Sequence, residues 1–465
     1  MKILLVYTDI NVKGGARSYH FGLGILSSVL KNAGHTTELH YMFDKWDPEG
    51  FVKHVERFKP DVIGYTSDST QIGNVGKLTT LIKGRGILQI AGGTHPSLYP
   101  KCLELTDGLD AICIGEGEKP LLDLVTALSE GESHQNIPGL WIKKEDGSII
   151  RNHQSCFVSE LDNIPFGDRA LFDFQQIIDS DYDRATFMLS RGCPYQCSYC
   201  GSPAMGKQQE GKYVRFRSVE NGIAEIKQVI SQYKVKSIFF ADDVFTIDRK
   251  YVKAFCEAYK REIGLPFEVT TRVESSNPET FEFLADAGCT RVAMGIESGS
   301  VELRRKVLNR KMTNDKIIKA FQDAKKAGLK TKSYNIVGFP HETKALHQET
   351  IKLNRELNPD SLVCYIFNPY PGTGLYDVSI RDGFLKPEQL EEEGFISRTD
   401  TPLVMPDFPR EEILKCYRNF AYNVYKGRSS KKALLYKVYY SRFGESLIRI
   451  LDIVKKPIQK LAMGS

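Results

Sequence analysis

The chain has 465 residues, 41% hydrophobic and 26% charged, which suits two or three domains that each bury a core. Its 63 Lys and Arg against 58 Asp and Glu give a net charge of +5, too mild for a nucleic-acid-binding surface. The opening apolar run Met1–Tyr7 is broken by Thr8 and Asp9, too short for a signal sequence or a bilayer span, so a soluble, cytoplasmic protein is expected.

The first part of the chain alternates short apolar runs with segments of helical spacing. Strands are predicted at Ile3–Tyr7, Thr37–Tyr41, Val62–Ser67, Ile87–Ala91 and Ala111–Ile114, with helical stretches such as Leu23–Lys31 and Leu121–Leu128 between them. This alternation implies an α/β fold with a doubly wound, Rossmann-like parallel sheet, and Leu140–Arg151 reads as a hairpin that closes a first domain at about residue 150. A linker over 151–184 leads to a second series of strands at Thr186–Ser190, Ser237–Ala241, Phe267–Thr271, Arg291–Gly295, Thr331–Val337 and Ser361–Phe367. Six strand-helix units predict a partial, TIM-like (β/α)6 barrel over 185–385, whose chemistry belongs at the carboxyl ends of its strands. Residues 386–465 read as a helical C-terminal segment. From Lys426 onward ten Lys and Arg face two acidic residues, and Leu447–Lys456 has the spacing of a basic amphipathic helix.

Of ten cysteines, seven are scattered, and the low density argues against a secreted disulfide framework. The other three, Cys193, Cys197 and Cys200, share one loop with Gly192 and Pro194 directly after the first barrel strand. Three thiolates on one loop can ligate three irons of a 4Fe-4S cluster and leave the fourth iron open to a chelating ligand. A structural zinc site is the other reading of clustered cysteines, although no fourth Cys and no His stands beside them.

The Cys-x3-Cys-x2-Cys spacing, with Tyr199 before the last Cys, resembles the signature of the radical S-adenosylmethionine (SAM) superfamily. The resemblance implies that Cys193, Cys197 and Cys200 hold the cluster. It implies also that the open iron chelates SAM, which one electron cleaves to methionine and a 5′-deoxyadenosyl radical. An external donor of the flavodoxin or ferredoxin type would supply that electron. Further SAM contacts implied at successive strand ends are Asp242 and Asp243 for the methionine ammonium and Arg272 for its carboxylate. Glu297 and Ser298, in a Gly-Ile-Glu-Ser-Gly segment, would meet the ribose and methionine polar groups. Gly338, in a segment similar to the superfamily's Gly-x-Ile-x-Gly-x-x-Glu pattern, would lie near the adenine, with Tyr334 in place of the first Gly. Phe367–Thr373 is similar to a Pro-x-Pro-Gly-Thr segment of the same family.

In the first domain, the predicted strand ends carry Asp9–Gly15, Thr66–Ser69, Gly92–Pro96 and Gly115–Glu118, where glycines permit close backbone approach and hydroxyls can bond amides or a phosphate. Together with the barrel, this layout resembles the cobalamin-binding radical SAM enzymes over about residues 1–385, the group of the anaerobic magnesium-protoporphyrin ester cyclase and cobalamin-dependent methyltransferases. Cobalamin contacts implied by the resemblance are Asn11, Gly14, Ser67, Gly92, Gly93, Thr94, Gly115 and Glu116. Asn11 stands where the Asp-x-His-x-x-Gly motif has its cobalt-ligating His, and His20 and His95 are the substitutes at hand. The expected function is methylation or ring formation on a small or lipid-linked substrate, with no nucleic-acid partner and with the basic tail as a peripheral membrane contact. Two other readings stay open: a methylthiotransferase-like radical enzyme, and a cluster-containing binding or electron-transfer protein.

Overall fold

The computed structural model describes residues 1–10, 17–388 and 399–439. Asn11, Gly14 and the segment 447–456 lie outside them. The first sheet contains β1 (Lys2–Asp9), β2 (Thr36–Phe43), β3 (Val62–Thr66), β4 (Leu88–Gly92), β5 (Ala111–Cys113), β6 (Leu140–Lys143) and β7 (Ile149–Arg151), in the order β2-β1-β3-β4-β5-β6-β7. The pairs from β2 to β5 are parallel. The predicted hairpin joins the same sheet antiparallel, adding two strands to the five parallel ones. Central β1 is buried along almost its whole length because both faces are covered. Ile3, Leu5 and Tyr7 enter one core, and Leu4 and Val6 enter a second core beneath the helices Pro48–Phe58 and Ile72–Leu81.

The second sheet is parallel throughout, with β8 (Arg184–Phe187), β11 (Ser237–Phe240), β12 (Phe267–Thr271), β13 (Cys289–Glu297), β14 (Lys330–Val337) and β15 (Ser361–Ile366) in the order β15-β14-β13-β12-β11-β8. This is a curled, six-stranded half-barrel, and β8 and β15 do not pair. Its helices begin at side-chain caps: Ser218, Asp248, Asn277, Thr313 and Thr343 each accept a backbone N–H of the first turn. The first barrel strand ends earlier than predicted because the Asp242 carboxylate takes the backbone N–H of Leu189 at 3.1 Å. The chain then turns, and Ser190–Arg191 forms β9, antiparallel to β10 (Arg215–Phe216). β13 runs past its predicted end with a register shift between Gly295 and Glu297, where Glu297 takes a φ of 66°.

The helix Arg410–Tyr425 packs on β14, β15 and the helix Lys344–Leu357, forming a third core with Phe339, Phe408 and Phe420. The largest core runs without a break from β1 through the linker residues Phe172–Ile178 into the barrel. At this seam the buried Arg169 guanidinium lies 4.5 Å from the Tyr19 ring centroid, 4.7 Å from Phe174 and 4.8 Å from Phe187, and pairs with Glu225 at 3.0 Å.

Candidate active site

The cysteine loop leaves β9 at Gly192, whose φ of 85° and position 2.5 Å (from a Cβ built there) to the Tyr213 carbonyl exclude any larger residue. Cys197 is buried, while Cys193 and Cys200 are partly accessible. Burial pushes the Cys193 thiol up and the Cys200 thiol up to about 11, so thiolates here require a cation. One is already beside them: Arg272 Nη1 lies 2.8 Å from Cys197 Sγ, and the same guanidinium stacks 3.9 Å from the Tyr195 ring centroid. Among the described residues no three His, Cys, Asp or Glu converge on a single ion. Three thiols on one loop beside a guanidinium suit three of the irons of a 4Fe-4S cluster, each taking one thiolate.

The structure brings the signature residue Tyr199 and two of the residues expected around SAM, Arg272 and Glu297, into one network, but through partners the sequence did not indicate. Arg272 reaches Cys197 and donates through Nη2 to Glu274 Oε1 at 2.7 Å, so its donors are shared with the cysteine loop and a neighbouring carboxylate. Arg310, 2% exposed, ties the centre together. Its Nη1 donates to Tyr199 OH at 2.9 Å and to Glu297 Oε1 at 3.0 Å, and its Nη2 to the Gly295 carbonyl at 2.7 Å. Burial raises the Glu297 carboxyl, and the Arg310 charge opposes that rise. Arg304, fully buried, holds the Ser298 carbonyl at 2.5 Å. Arg310 sits in a loop between two helices, 13 positions beyond Glu297, and no local periodicity marks it or Arg304.

Asp242 is not free for an ammonium. It accepts from Leu189 N and from Ser190 Oγ at 2.5 Å, and burial moves it up to about 6. Asp243 makes no side-chain hydrogen bond or ion pair among the described residues, and desolvation raises its carboxyl. It is the acid of the pair that remains available. Gly338 donates its N–H to Glu342 Oε2 at 2.6 Å, and Ile413 of the C-terminal helix covers its Cα side.

The first sheet brings Ser67, Gly92, Gly93 and Thr94 to adjacent ends of β3 and β4. Gly93, at φ 104°, lies so close to Ser67 that a Cβ would come within 2.8 Å of its carbonyl. Gly115 and Glu116, also expected at cobalamin, face the barrel. A Cβ on Gly115 would meet Gln209 at 2.4 Å, and Glu116 pairs with Arg215 at 2.7 Å and Arg191 at 2.9 Å. Burial alone would raise Glu116, but the two guanidiniums hold it below the ordinary value.

Asp9 accepts from Ser18 Oγ at 2.8 Å and from Tyr41 OH at 3.0 Å. Both candidate histidines are hydrogen-bonded within the first domain. His20 Nδ1 accepts from Leu23 N, so Nε2 carries the proton toward Thr66 Oγ1 at 3.1 Å; His95 Nδ1 lies 3.0 Å from Ser69 Oγ. Burial pushes both rings down to about 4 and keeps them neutral.

The two carboxyl edges meet next to the cysteine loop: a Cβ on Gly201 would lie 3.1 Å from Leu98, and one on Gly372 3.0 Å from the Leu98 carbonyl. Among the described residues no helix is long and apolar enough to cross a membrane.

Comparison with known proteins agrees with this geometry. Residues 7–125 match the B12 binding domain, and residues 187–353 match the radical SAM superfamily. A protein of Pyrococcus horikoshii named as an uncharacterised methyltransferase is 28% identical over 90% of this chain and 91% of its own. The anaerobic magnesium-protoporphyrin IX monomethyl ester cyclase of Rubrivivax gelatinosus is 26% identical over 91% of this chain and 78% of its own. The solved radical SAM methyltransferase TsrM of Kitasatospora setae, which contains cobalamin and a [4Fe-4S] cluster, shares the fold with a TM-score of 0.67 at 18% identity, over 83% of this chain and 76% of that one. The chain thus combines a B12-binding domain with a radical SAM domain, and its cofactors are a 4Fe-4S cluster, S-adenosylmethionine and cobalamin.

Proposed function

We propose that Cys193, Cys197 and Cys200 hold the cluster and that the enzyme transfers a methyl group to carbon of a small or lipid-linked substrate. The thiol loop beside Arg272, set where the barrel mouth meets the cobalamin-binding sheet, carries this reading. When bound, the reduced cluster supplies the electron that cleaves SAM, and cobalamin supplies the methyl carrier. The protein orients these groups. Asp243 suits the methionine ammonium, and Arg310 holds Tyr199 and Glu297 in place through charge-assisted hydrogen bonds. Tyr199 against Phe339, with ring centroids 5.7 Å apart, and Phe339 against Phe367 at 5.3 Å form an apolar wall that excludes water. Ser67, Gly92, Gly93 and Thr94 offer cobalamin a short-side-chain edge. Residues 1–150 form the cobalamin-binding unit, 151–184 the linker, 185–385 the barrel and 386–465 the C-terminal segment.

Ring formation is the second reading, favoured by the similarity to the cyclase over most of both chains. An external flavodoxin- or ferredoxin-type donor supplies the electron. The basic tail makes a peripheral membrane contact, and unchanged liposome partitioning after deletion of residues 427–465 refutes that contact.

Anaerobic reconstitution with iron, sulfide and hydroxocobalamin tests the whole assignment. Wild type is expected to retain about four irons and one cobalamin per chain and to release 5′-deoxyadenosine from SAM under strong reductant. Cys197→Ala should release none. Iron retention without SAM cleavage would refute the enzymatic reading in favour of a cluster-binding protein.

A further inference from the structure

The segment Gly115-Glu116-Gly117-Glu118 follows β5 at the carboxyl edge of the cobalamin-binding sheet, yet its two carboxylates point away from that edge and into the barrel. Glu116 Oε1 lies 2.9 Å from Arg191 Nη1 and 2.7 Å from Arg215 Nη2, while its Oε2 accepts from Arg215 Nη1 at 3.0 Å and from Val158 N at 2.9 Å. Glu118 Oε1 takes the other arm of Arg191 at 2.6 Å. The four side chains are between 3% and 17% exposed, so their pairing is poorly screened by solvent.

Arg191 and Arg215 are opposite each other in the β9–β10 ladder. The stretch 192–214 that this ladder closes off contains all three cysteines. One carboxylate of the first sheet thus grips both strands at the root of the cysteine loop, and a second carboxylate grips Arg191 again, two residues before Cys193. From the other side, Asp242 of the barrel holds Ser190, the next residue of the same ladder. The phenyl ring of Phe157, in the linker, backs the Arg215 guanidinium at 4.8 Å.

We propose that Glu116 and Glu118 are positioning residues: they fasten the root of the cysteine loop to the cobalamin-binding sheet and so set the cluster against cobalamin. The proposal rests on the assignment of the three cysteines to the cluster. Arg191 bridging the two carboxylates and Arg215 forked onto Glu116 fix direction as well as separation, because each fork bonds along defined lines. A lysine at 191 could reach only one carboxylate at a time.

The test uses the reconstituted holoenzyme with Arg191→Ala, Arg191→Lys and Glu118→Gln. It reads iron and cobalamin per chain, the magnetic interaction between cob(II)alamin and the reduced cluster in the EPR spectrum, and 5′-deoxyadenosine formed per cluster. Arg191→Ala is expected to retain both cofactors, to alter the magnetic interaction, and to lose about tenfold or more in rate per cluster, as misplacement near 1 Å does. Arg191→Lys should recover part of the rate, and Glu118→Gln should show a smaller change of the same kind. Arg191→Ala with full iron, an unchanged magnetic interaction and a wild-type rate overturns the proposal. So does a collapse of Arg191→Ala, with loss of iron, alongside a Glu118→Gln indistinguishable from wild type. Wild type that binds no iron overturns the cysteine assignment itself, and the latch with it.

Discussion

Replacing Glu342 by Gln should make the protein more stable at alkaline pH and flatten part of its pH dependence. Glu342 is 1% exposed. Its Oε2 accepts from Gly338 N at 2.6 Å and Phe339 N at 3.1 Å, whereas Oε1 has no hydrogen-bond partner and lies 4.0 Å from His347 Nδ1. Both His347 ring nitrogens are likewise without partners, and burial pushes that ring down to about 4, so no cation offsets the carboxylate. The other titratable groups facing the pair, Cys364 and Cys416, are pushed up by burial and stay neutral near pH 7. Burial therefore raises Glu342 from 4.5 to about 8.

The folded state holds a proton that the unfolded chain gives up above pH 4.5. The contribution is complete below that pH and is lost as the pH rises through about 8. At 1.36 kcal/mol per pH unit, the gap corresponds to at most about 5 kcal/mol. Gln keeps an oxygen for the two N–H groups, places an amide N–H toward the unpaired His347 Nδ1, and does not titrate. The difference in urea unfolding between Glu342→Gln and wild type should therefore widen in favour of the variant from pH 5 to pH 9. A difference that stays constant within about 1 kcal/mol across that range refutes the reasoning.

Arg310→Met should destabilise the protein by about 3–5 kcal/mol, because it leaves the Glu297 carboxylate buried without its partner; chemical denaturation checks this, and Arg310→Lys should rescue little since three acceptors converge on the fork. In His20→Ala the EPR spectrum of bound cob(II)alamin should keep its wild-type nitrogen hyperfine pattern, since both ring nitrogens of His20 are already engaged, by Leu23 N and Thr66 Oγ1; a lost splitting would show that His20 ligates cobalt. Gly192→Ala should lower iron content after reconstitution by at least half, since a β-carbon there meets the Tyr213 carbonyl at 2.5 Å; a full complement of iron would refute that.

The strands of the first sheet were legible because both its faces are covered, so runs such as Ile3–Tyr7 stand out from amphipathic helices, whereas barrel strands such as Lys330–Val337 alternate buried and partly exposed residues with a period of two. Errors fell where a side chain far along the chain redirects the backbone: β8 stops early because Asp242, 53 positions away, captures Leu189 N. The cysteine triad was readable from spacing alone. The network that supports it was not, because Arg272 and Glu274, Glu297, and Arg310 come from three segments that meet only on folding. Glu116 shows the same limit. Its place at a strand end suggested a cofactor contact, while its partners, Arg191 and Arg215, lie 75 and 99 positions away and are brought to it by the β9–β10 ladder. Asp242 and Asp243 are neighbours in sequence with opposite fates, one buried in a backbone turn and one open, a distinction that no composition rule carries.

The unbroken core from β1 into the barrel, pinned at Arg169, bears on how far this architecture can be treated as modular. Cutting after residue 151 would strip the first sheet of the linker aromatics Phe172 and Phe174 and strand Tyr19 without its cation. A recombinant cobalamin-binding fragment should therefore be prone to aggregation. A chimaera that exchanges N-terminal domains between relatives would have to carry the linker and a compatible Arg191–Arg215 pair across the junction. The unit of exchange in this chain is the seam together with the domain, rather than the domain alone.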